Sequence, residues 1–247
     1  MRKIFLALSC LLSAAILNAD TVVNVSLDTS ALVSDAAAAP FAIDFQMIDG
    51  SGTGDANNII TISNATFGGG NASGAPVLSG GASGDLATSI VLTDSQFFNE
   101  FTQTFTPGNT LNFTLDTTAN VDSSAPDTFA FSIEDGSGTP LPTMGLYTAN
   151  VDAFLYFQID SSNPTIQTFA SDPSRTPVAG GNALDLPMPN VTQAGPASVP
   201  EPGASALLLF GICAISLARL SAGINGSRRR PSRAHDCSPP RPSCRAC

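Results

Sequence analysis

Hydrophobic and polar residues alternate along most of the segment from residue 21 to residue 160. Successive side chains of a β-strand point to opposite faces, so this period of two predicts strands that each bury one face. The hydrophobic positions of the five clearest runs are Val23, Val25 and Leu27; Phe41, Ile43, Phe45 and Met47; Leu111, Phe113 and Leu115; Phe129, Phe131 and Ile133; and Val151, Ala153, Leu155, Phe157 and Ile159.

Three weaker runs, residues 59–65, 87–92 and 97–105, add candidate strands. No run shows the period of 3.6 that indicates a helix. Glycine-rich turns such as residues 49–54 and 80–84 separate the runs, because glycine adopts positive φ at little cost. About eight to ten short strands of this kind predict an all-β ectodomain with a β-sandwich or jelly-roll-like fold.

The first residues of the chain have the pattern of a secretory signal peptide. Arg2 and Lys3 precede the apolar run of residues 4–16, and Ala19 offers a small residue at the cleavage point. We therefore expect signal peptidase to remove residues 1–19 and export the rest of the chain.

The remaining chain divides by composition into four parts. The all-β ectodomain occupies residues 20–170, and a spacer rich in Pro and Gly follows over residues 171–198. Residues 199–230 combine a short motif, an apolar run and an Arg cluster, and residues 231–247 form a tail rich in Arg, Pro and Ser. Only the first of these parts has the pattern of a folded domain.

The part after the spacer is a candidate membrane anchor with a motif in front of it. As a helix its most apolar residues, 204–218, span about 22 Å, which is short against about 30 Å of hydrocarbon. The positive-inside rule keeps the Arg cluster in the cytoplasm and leaves the motif on the outer face of the membrane. The three elements are the motif Val199-Pro200-Glu201-Pro202, the single apolar helix over residues 204–220, and the cluster Arg228-Arg229-Arg230.

This order of motif, apolar helix and Arg cluster resembles the PEP-CTERM sorting signal of Gram-negative bacteria that make extracellular polysaccharide. The resemblance implies that the membrane enzyme exosortase cleaves at Val199 to Pro202, and that Arg228 to Arg230 retain the chain in the inner membrane only until then. It also implies delivery to the cell surface or extracellular matrix.

The end of the chain departs from that signal. Residues 220–227 separate the apolar run from the Arg cluster, and 17 residues follow Arg230. A frameshifted or read-through terminus would explain this departure. The tail holds four potential zinc ligands, for which the alternative is an unstructured segment. These ligands are His235, Cys237, Cys244 and Cys247.

The charge of the ectodomain excludes several kinds of partner. Between Asp20 and Val199 the chain has 18 Asp or Glu, one Arg (Arg175) and no Lys, a net charge of about −17. Such a surface repels phosphate backbones and anionic lipids, so we expect no nucleic-acid partner. All five Cys lie outside this region, so no disulfide stabilises the fold.

The exported part lacks the residues of most catalytic sites. It contains no Cys and no His, which excludes cysteine nucleophiles and His-based triads. Paired carboxylates suffice for a glycosidase, but carboxylates such as Asp44 and Glu134 occupy outward strand positions or turns. The chain also has no Trp and only two Tyr to form a glycan platform. We therefore expect no enzymatic activity.

One loop has the spacing of a calcium site. Asp49, Ser51, Thr53 and Asp55 alternate, with glycine at the sixth place, as in the first half of a calcium-binding loop. The twelfth place is Ile60, where a bidentate Glu belongs. With two carboxylates the expected affinity is weak, in the millimolar range of extracellular modules. The alternative is a Gly-rich hairpin without a ligand.

These observations favour an exported, exosortase-processed surface or matrix protein without catalytic activity, associated with extracellular polysaccharide in a biofilm. The alternatives are a weak calcium- or glycan-binding module and, less favoured, a carboxylate-based polysaccharide hydrolase. No cofactor is expected other than weakly bound calcium. Six Asn-x-Ser/Thr matches, including Asn24, Asn64 and Asn112, are attributed to composition.

Overall fold

The computed structural model describes residues 21–52, 54–120, 125–145, 152–159 and 164–194. Within these ranges the chain forms thirteen strands and one short helix, α1 (Ser30–Val33). The strands are β1 (Thr21–Asp28), β2 (Phe41–Ile48), β3 (Ile59–Thr66), β4 (Asn71–Ala72), β5 (Val77–Ser79), β6 (Gly81–Gly84), β7 (Ser89–Thr93), β8 (Phe98–Thr106), β9 (Thr110–Thr117), β10 (Asp127–Glu134), β11 (Leu155–Ile159), β12 (Gln167–Thr168) and β13 (Asn190–Gln193).

The strands form two antiparallel sheets. Sheet A has the order β13-β1-β9-β3-β7-β6, and sheet B has the order β12-β11-β10-β2-β8-β4, with β5 also paired to β8. Every strand pairing within the described residues is antiparallel. The prediction that this region is all-β is confirmed.

The two sheets contact each other through one hydrophobic core. The ring of Phe45, on β2 of sheet B, lies 5.3 Å from the ring of Phe113, on β9 of sheet A, in an edge-to-face arrangement. Phe113 makes the same kind of contact with Phe131 of sheet B at 5.2 Å. Each such aromatic pair contributes about 1 kcal/mol beyond the burial of its area, so Phe113 links the sheets directly.

The alternating positions that define the predicted strands are buried in this core. Val151 is the exception, because it lies outside the described residues. The weaker predicted runs also become strands, with bounds that shift by one or two residues: residues 87–92 correspond to β7 and residues 97–105 to β8. Hydrophobic periodicity therefore located the long strands.

The short strands β4, β5, β6 and β12 were not predicted. They contain two to four residues each, which is too few for an alternating pattern to be recognised. They form by pairing with the free backbone edge of a longer neighbouring strand. That edge exists only in the folded chain.

The segment after residue 170 differs from the predicted spacer. Leu184 and Leu186 are buried in the core, and β13 pairs with β1 at the edge of sheet A. The Ser171 hydroxyl donates to the Leu184 carbonyl at 2.7 Å, and the Leu186 N–H donates to the Ser171 oxygen at 2.7 Å. An extended Pro-rich chain suits a sheet edge, where few backbone hydrogen bonds are required. The folded unit therefore continues to residue 194.

Contacts divide the chain into one unit over Met1–Ala197 and another over Ser198–Cys247. The described residues belong to the first unit. The predicted signal peptide (residues 1–19), sorting signal (residues 199–230) and tail (residues 231–247) lie outside the described residues. Among the helices that are described, none is long and apolar enough to cross a membrane.

Candidate functional site

Three loops meet at one end of the sheets. Of the described residues, they comprise 49–52 and 54–58 of the β2–β3 loop, 94–97 of the β7–β8 loop, and 118–120 and 125–126 of the β9–β10 loop. The Asp49 N–H donates to the Phe97 carbonyl at 3.0 Å, which joins the first loop to the second. This junction contains the predicted calcium loop.

Two glycines allow the backbones of these loops to approach closely. A Cβ at Gly50 would overlap the carbonyl oxygens of Ala125 and Pro126, and a Cβ at Gly54 would lie 2.5 Å from the Ser95 carbonyl oxygen. Gly54 also has a φ of +68°, a conformation that favours glycine. Loop packing, together with the positive φ of Gly54, therefore accounts for glycine at both positions, including the sixth place of the calcium spacing.

Asp49 directs both carboxylate oxygens into its own loop. Oδ1 accepts hydrogen bonds from the Ser51 N–H, the Ser51 hydroxyl and the Gly52 N–H at 2.7, 2.7 and 3.0 Å, and Oδ2 accepts one from the Gly54 N–H. Burial alone would raise the pKa of Asp49, but these donors outweigh it and the pKa lies below its ordinary value. Asp49 thus stabilises a turn.

The same Asp-x-Ser turn occurs three more times in the described part of the chain. Asp28 accepts from the Ser30 N–H at 2.9 Å. Asp135 accepts from the Ser137 N–H at 2.9 Å and the Ser137 hydroxyl at 2.5 Å. Asp172 accepts from the Ser174 N–H at 3.0 Å and the Ser174 hydroxyl at 2.6 Å. Short polar side chains commonly form such turns with the backbone two residues on. The sequence spacing read as the start of a calcium loop is therefore also the spacing of a recurrent turn in this fold.

The described members of the predicted calcium-ligand set have hydrogen-bond partners within the loop. Asp49 and Ser51 bond to each other, whereas Asp55 is exposed and accepts a 3.1 Å hydrogen bond from the Asn57 side chain. Thr53 lies outside the described residues. Within the described ranges, no group of three or more His, Cys, Asp or Glu side chains is arranged to hold a metal ion. Calcium binding by the predicted loop stays a prediction.

A second pair of carboxylates lies at the same junction, and the sequence interpretation missed it. Asp94 follows β7, Asp127 begins β10, and both are 0% exposed. Asn58 joins them: its N–H donates to Asp94 Oδ2 at 3.1 Å and its Nδ2 donates to Asp127 Oδ2 at 2.8 Å. Asp127 Oδ1 accepts from the Gly50 N–H at 2.8 Å. The pair thus connects all three loops.

The environment of Asp94 disfavours its charge. Burial raises the pKa of Asp94 above its ordinary value, and the charge of Asp55 adds to the increase. The Asn58 N–H and a side-chain hydrogen-bond contact with Asp127 act in the opposite direction. Asp94 Oδ1 is buried and accepts no hydrogen bond from any described residue. This oxygen can therefore accept a further donor or ligand.

A third group of carboxylates lies on sheet B, on the face opposite to the core. Asp44 on β2 is 0% exposed, although its outward position predicted exposure. Burial and the charges of Glu100 and Glu134 raise the pKa of Asp44 to about 7, against hydrogen bonds from Ser132 and Gln46. A neutral carboxyl beside ionised ones is typical of acid–base pairs, but it also occurs in structural clusters.

The outer face of sheet A has a shallow groove of about 280 Å³ lined by Asn, Ser and Thr. The antiparallel register places Asn24 opposite Thr114 and Thr192, and Ser26 opposite Asn112 and Asn190. The Thr114 hydroxyl donates to Asn24 Oδ1 at 3.0 Å. Three of the Asn-x-Ser/Thr matches attributed to composition, at Asn24, Asn112 and Asn190, therefore form two ordered polar rows.

The single basic residue between Asp20 and Val199 has acidic partners. Arg175 lies 2.6 Å from Asp152 and 3.0 Å from Asp172, and its guanidinium donates to the Thr143 carbonyl at 2.8 Å. These contacts hold the segment after residue 170 to the loop before β11. Arg175, the single basic side chain between Asp20 and Val199, is therefore paired with acidic groups.

The fold and these sites define the class of the protein, which is an acidic, antiparallel all-β protein. Comparisons of the chain with protein-family models, curated proteins and solved structures find no match.

Proposed function

We propose that this chain is an exported, exosortase-processed surface or extracellular-matrix protein without catalytic activity. One observation supports the proposal most: the motif Val199 to Pro202, the apolar run of residues 204–220 and the cluster Arg228 to Arg230 follow one another in the order of a sorting signal. The last strand of the folded unit ends at Gln193, a few residues before the motif.

The folded unit suits an extracellular role. We infer that its two sheets form a β-sandwich of jelly-roll-like type, because Phe45 and Phe113 pack across the interval between them. The net charge of about −17 between Asp20 and Val199 favours solubility and disfavours adhesion to anionic surfaces. Such a unit has no Cys from which a disulfide could form.

In this proposal each part of the C-terminal region has a separate task. The apolar run holds the chain in the inner membrane, and Arg228 to Arg230 fix its orientation through the positive-inside rule. The motif at Val199 to Pro202 is then accessible to exosortase on the outer face. Cleavage releases the folded unit to the surface or to a polysaccharide matrix.

The intact mass of the protein recovered from the surface of its native host tests the proposal. We expect a species that begins near Asp20 and ends between Pro200 and Pro202. In a Glu201→Ala variant we expect an uncleaved species in the inner membrane, whereas the matched variant Pro196→Ala, outside the motif, is processed normally. A surface species that retains residues 204–247 would overturn the proposal.

The outer face of sheet A favours a second candidate function, contact with a neutral polysaccharide. Its rows of amide and hydroxyl groups are uncharged and repeat at the strand spacing of about 4.8 Å, and they can exchange hydrogen bonds with sugar hydroxyls. Exposed Asn24 and the groove-lining Thr114 lie at the centre of these rows. The sheet itself holds the groups in place.

Affinity electrophoresis in gels that contain the host polysaccharide tests this candidate. We expect the protein to be retarded, and Asn24→Ala with Thr114→Ala to reduce the retardation. Asn182→Ala, an exposed position away from sheet A, is the control and should migrate as the native chain does. Equal migration in gels with and without polysaccharide would remove the candidate and leave the sorting proposal unaffected.

A further inference from the structure

Two buried carboxyl groups lie close together at the loop junction. Asp94 and Asp127 are both 0% exposed, and their side chains lie within hydrogen-bonding reach of each other. Two ionised carboxylates at such a distance repel each other strongly where water is excluded. A positive charge between them removes the repulsion.

The hydrogen bonds of the two carboxyl groups leave one oxygen atom available to a cation. Asp127 accepts one N–H donor on each oxygen, from Gly50 and from Asn58, which stabilises its ionised form. Asp94 uses Oδ2 for the Asn58 N–H. Its Oδ1 is buried without a hydrogen bond from any residue in the described part of the chain.

We propose that Asp94 and Asp127, held together by Asn58, bind one calcium ion at the junction of the three loops. Oxygen ligands are those that calcium prefers, and a mixture of carboxylate and neutral carbonyl oxygens is common in its sites. Water molecules supply the remaining oxygens in many such sites.

This site differs from the one that the sequence spacing predicts. In the predicted loop, four hydrogen bonds occupy the Asp49 carboxylate, so ligation of a cation there would break the turn. Asp55 bears on both sites. It is exposed and is a ligand of the predicted loop, and its charge contributes to the raised pKa of Asp94. With two buried carboxylates, the affinity belongs to the millimolar range of extracellular modules.

The midpoint temperature of unfolding of the full chain, measured against CaCl₂ concentration, tests the proposal. At calcium about ten times the Kd, linkage predicts an increase of about 3–6 °C. Asp94→Asn should abolish the increase. Asp55→Asn, at an exposed position, should weaken the apparent Kd several-fold and so gives a test even if Asp94→Asn fails to fold.

Two controls separate this site from its alternatives. Asp49→Asn should lower the midpoint temperature without calcium but retain the calcium-dependent increase, and Asp185→Asn, at an exposed position, should change neither. Loss of the increase in Asp49→Asn together with its retention in Asp94→Asn would overturn the proposal in favour of the predicted loop. No increase in the native chain at millimolar calcium would overturn it altogether. Neither result bears on C-terminal processing.

Discussion

The hydroxyl of Ser132 on β10 donates a 3.0 Å hydrogen bond to Oδ2 of Asp44 on the neighbouring strand β2. Gln46 Nε2 donates to the same oxygen at 2.7 Å, while Asp44 Oδ1 is buried and accepts no hydrogen bond from the described residues. A buried carboxyl with one bare oxygen is more stable protonated than ionised. The outer face of sheet B therefore contains a titratable group that is sensitive to neutral pH.

We predict that this group makes the fold less stable as the pH rises from about 4 to about 7. The pKa of Asp44 is about 7 in the folded chain against an ordinary value of 3.8, so the folded state holds the proton more tightly. The contribution is fully present below pH 4 and is lost through pH 7, with a size of about 4 kcal/mol. Glu100 and Glu134, whose pKa values are also raised, act in the same direction.

Urea unfolding of the native chain and of Asp44→Asn, measured at several pH values, checks this prediction. The variant should gain stability relative to the native chain as the pH rises, and the difference should level off above pH 7. Asp185→Asn is the control for a general change in charge. A constant difference from pH 4 to pH 8 would contradict the assigned role of Asp44.

Removal of a turn carboxylate should destabilise the fold. Asp135 accepts hydrogen bonds from Ser137 and, across the chain, from the Ala179 N–H at 2.8 Å. Burial would raise the pKa of Asp135, but these donors hold it below its ordinary value, so its contribution is present above about pH 4 and is lost as the pH falls. We expect Asp135→Ala to cost about 1–3 kcal/mol at pH 7 in urea unfolding. Asp185→Ala should cost far less.

The close approach of the loops should make Gly50 sensitive to substitution. A Cβ there meets the backbone oxygens of Ala125 and Pro126, which cannot rotate away as a flexible side chain can. We expect Gly50→Ala to destabilise the fold by about 3 kcal/mol in thermal or urea unfolding.

Gly138→Ala is the matched control for that variant. Gly138 has a φ of +73°, and no atom lies within 4 Å of the position that a Cβ would occupy. Its substitution therefore measures backbone strain alone, about 1–2 kcal/mol. A smaller cost at Gly50 than at Gly138 would show that the loops do not pack as described.

The aromatic contact between the sheets should dominate the stability of the core. Phe45 is 0% exposed and contacts Phe113 across the sheets, so Phe45→Ala should cost about 3–5 kcal/mol. Phe97, which is 61% exposed in the β7–β8 loop, is the matched control, and Phe97→Ala should cost less than about 0.5 kcal/mol. Equal midpoints of urea unfolding for the two variants would contradict this arrangement of the core.

Part of the polar junction has a signal in the sequence that can be recognised once the structure is known. Asp94 continues the alternation of Ile90 and Leu92, and Asp127 precedes Phe129 in the same phase. Polar residues that occupy core positions at strand ends indicate a buried polar layer. A single sequence does not show which of these ends meet, because the loops that join them come from distant parts of the chain.

The all-β class and the buried face of each long strand follow from the sequence alone, since period-two alternation is a local consequence of strand geometry. The pairing of β13 with sheet A and the meeting of Asp94 and Asp127 beside Asn58 emerge only in the folded chain. Each of these facts depends on which backbone edges and strand ends become neighbours. That choice is made by packing between residues far apart in the chain, and no local pattern encodes it.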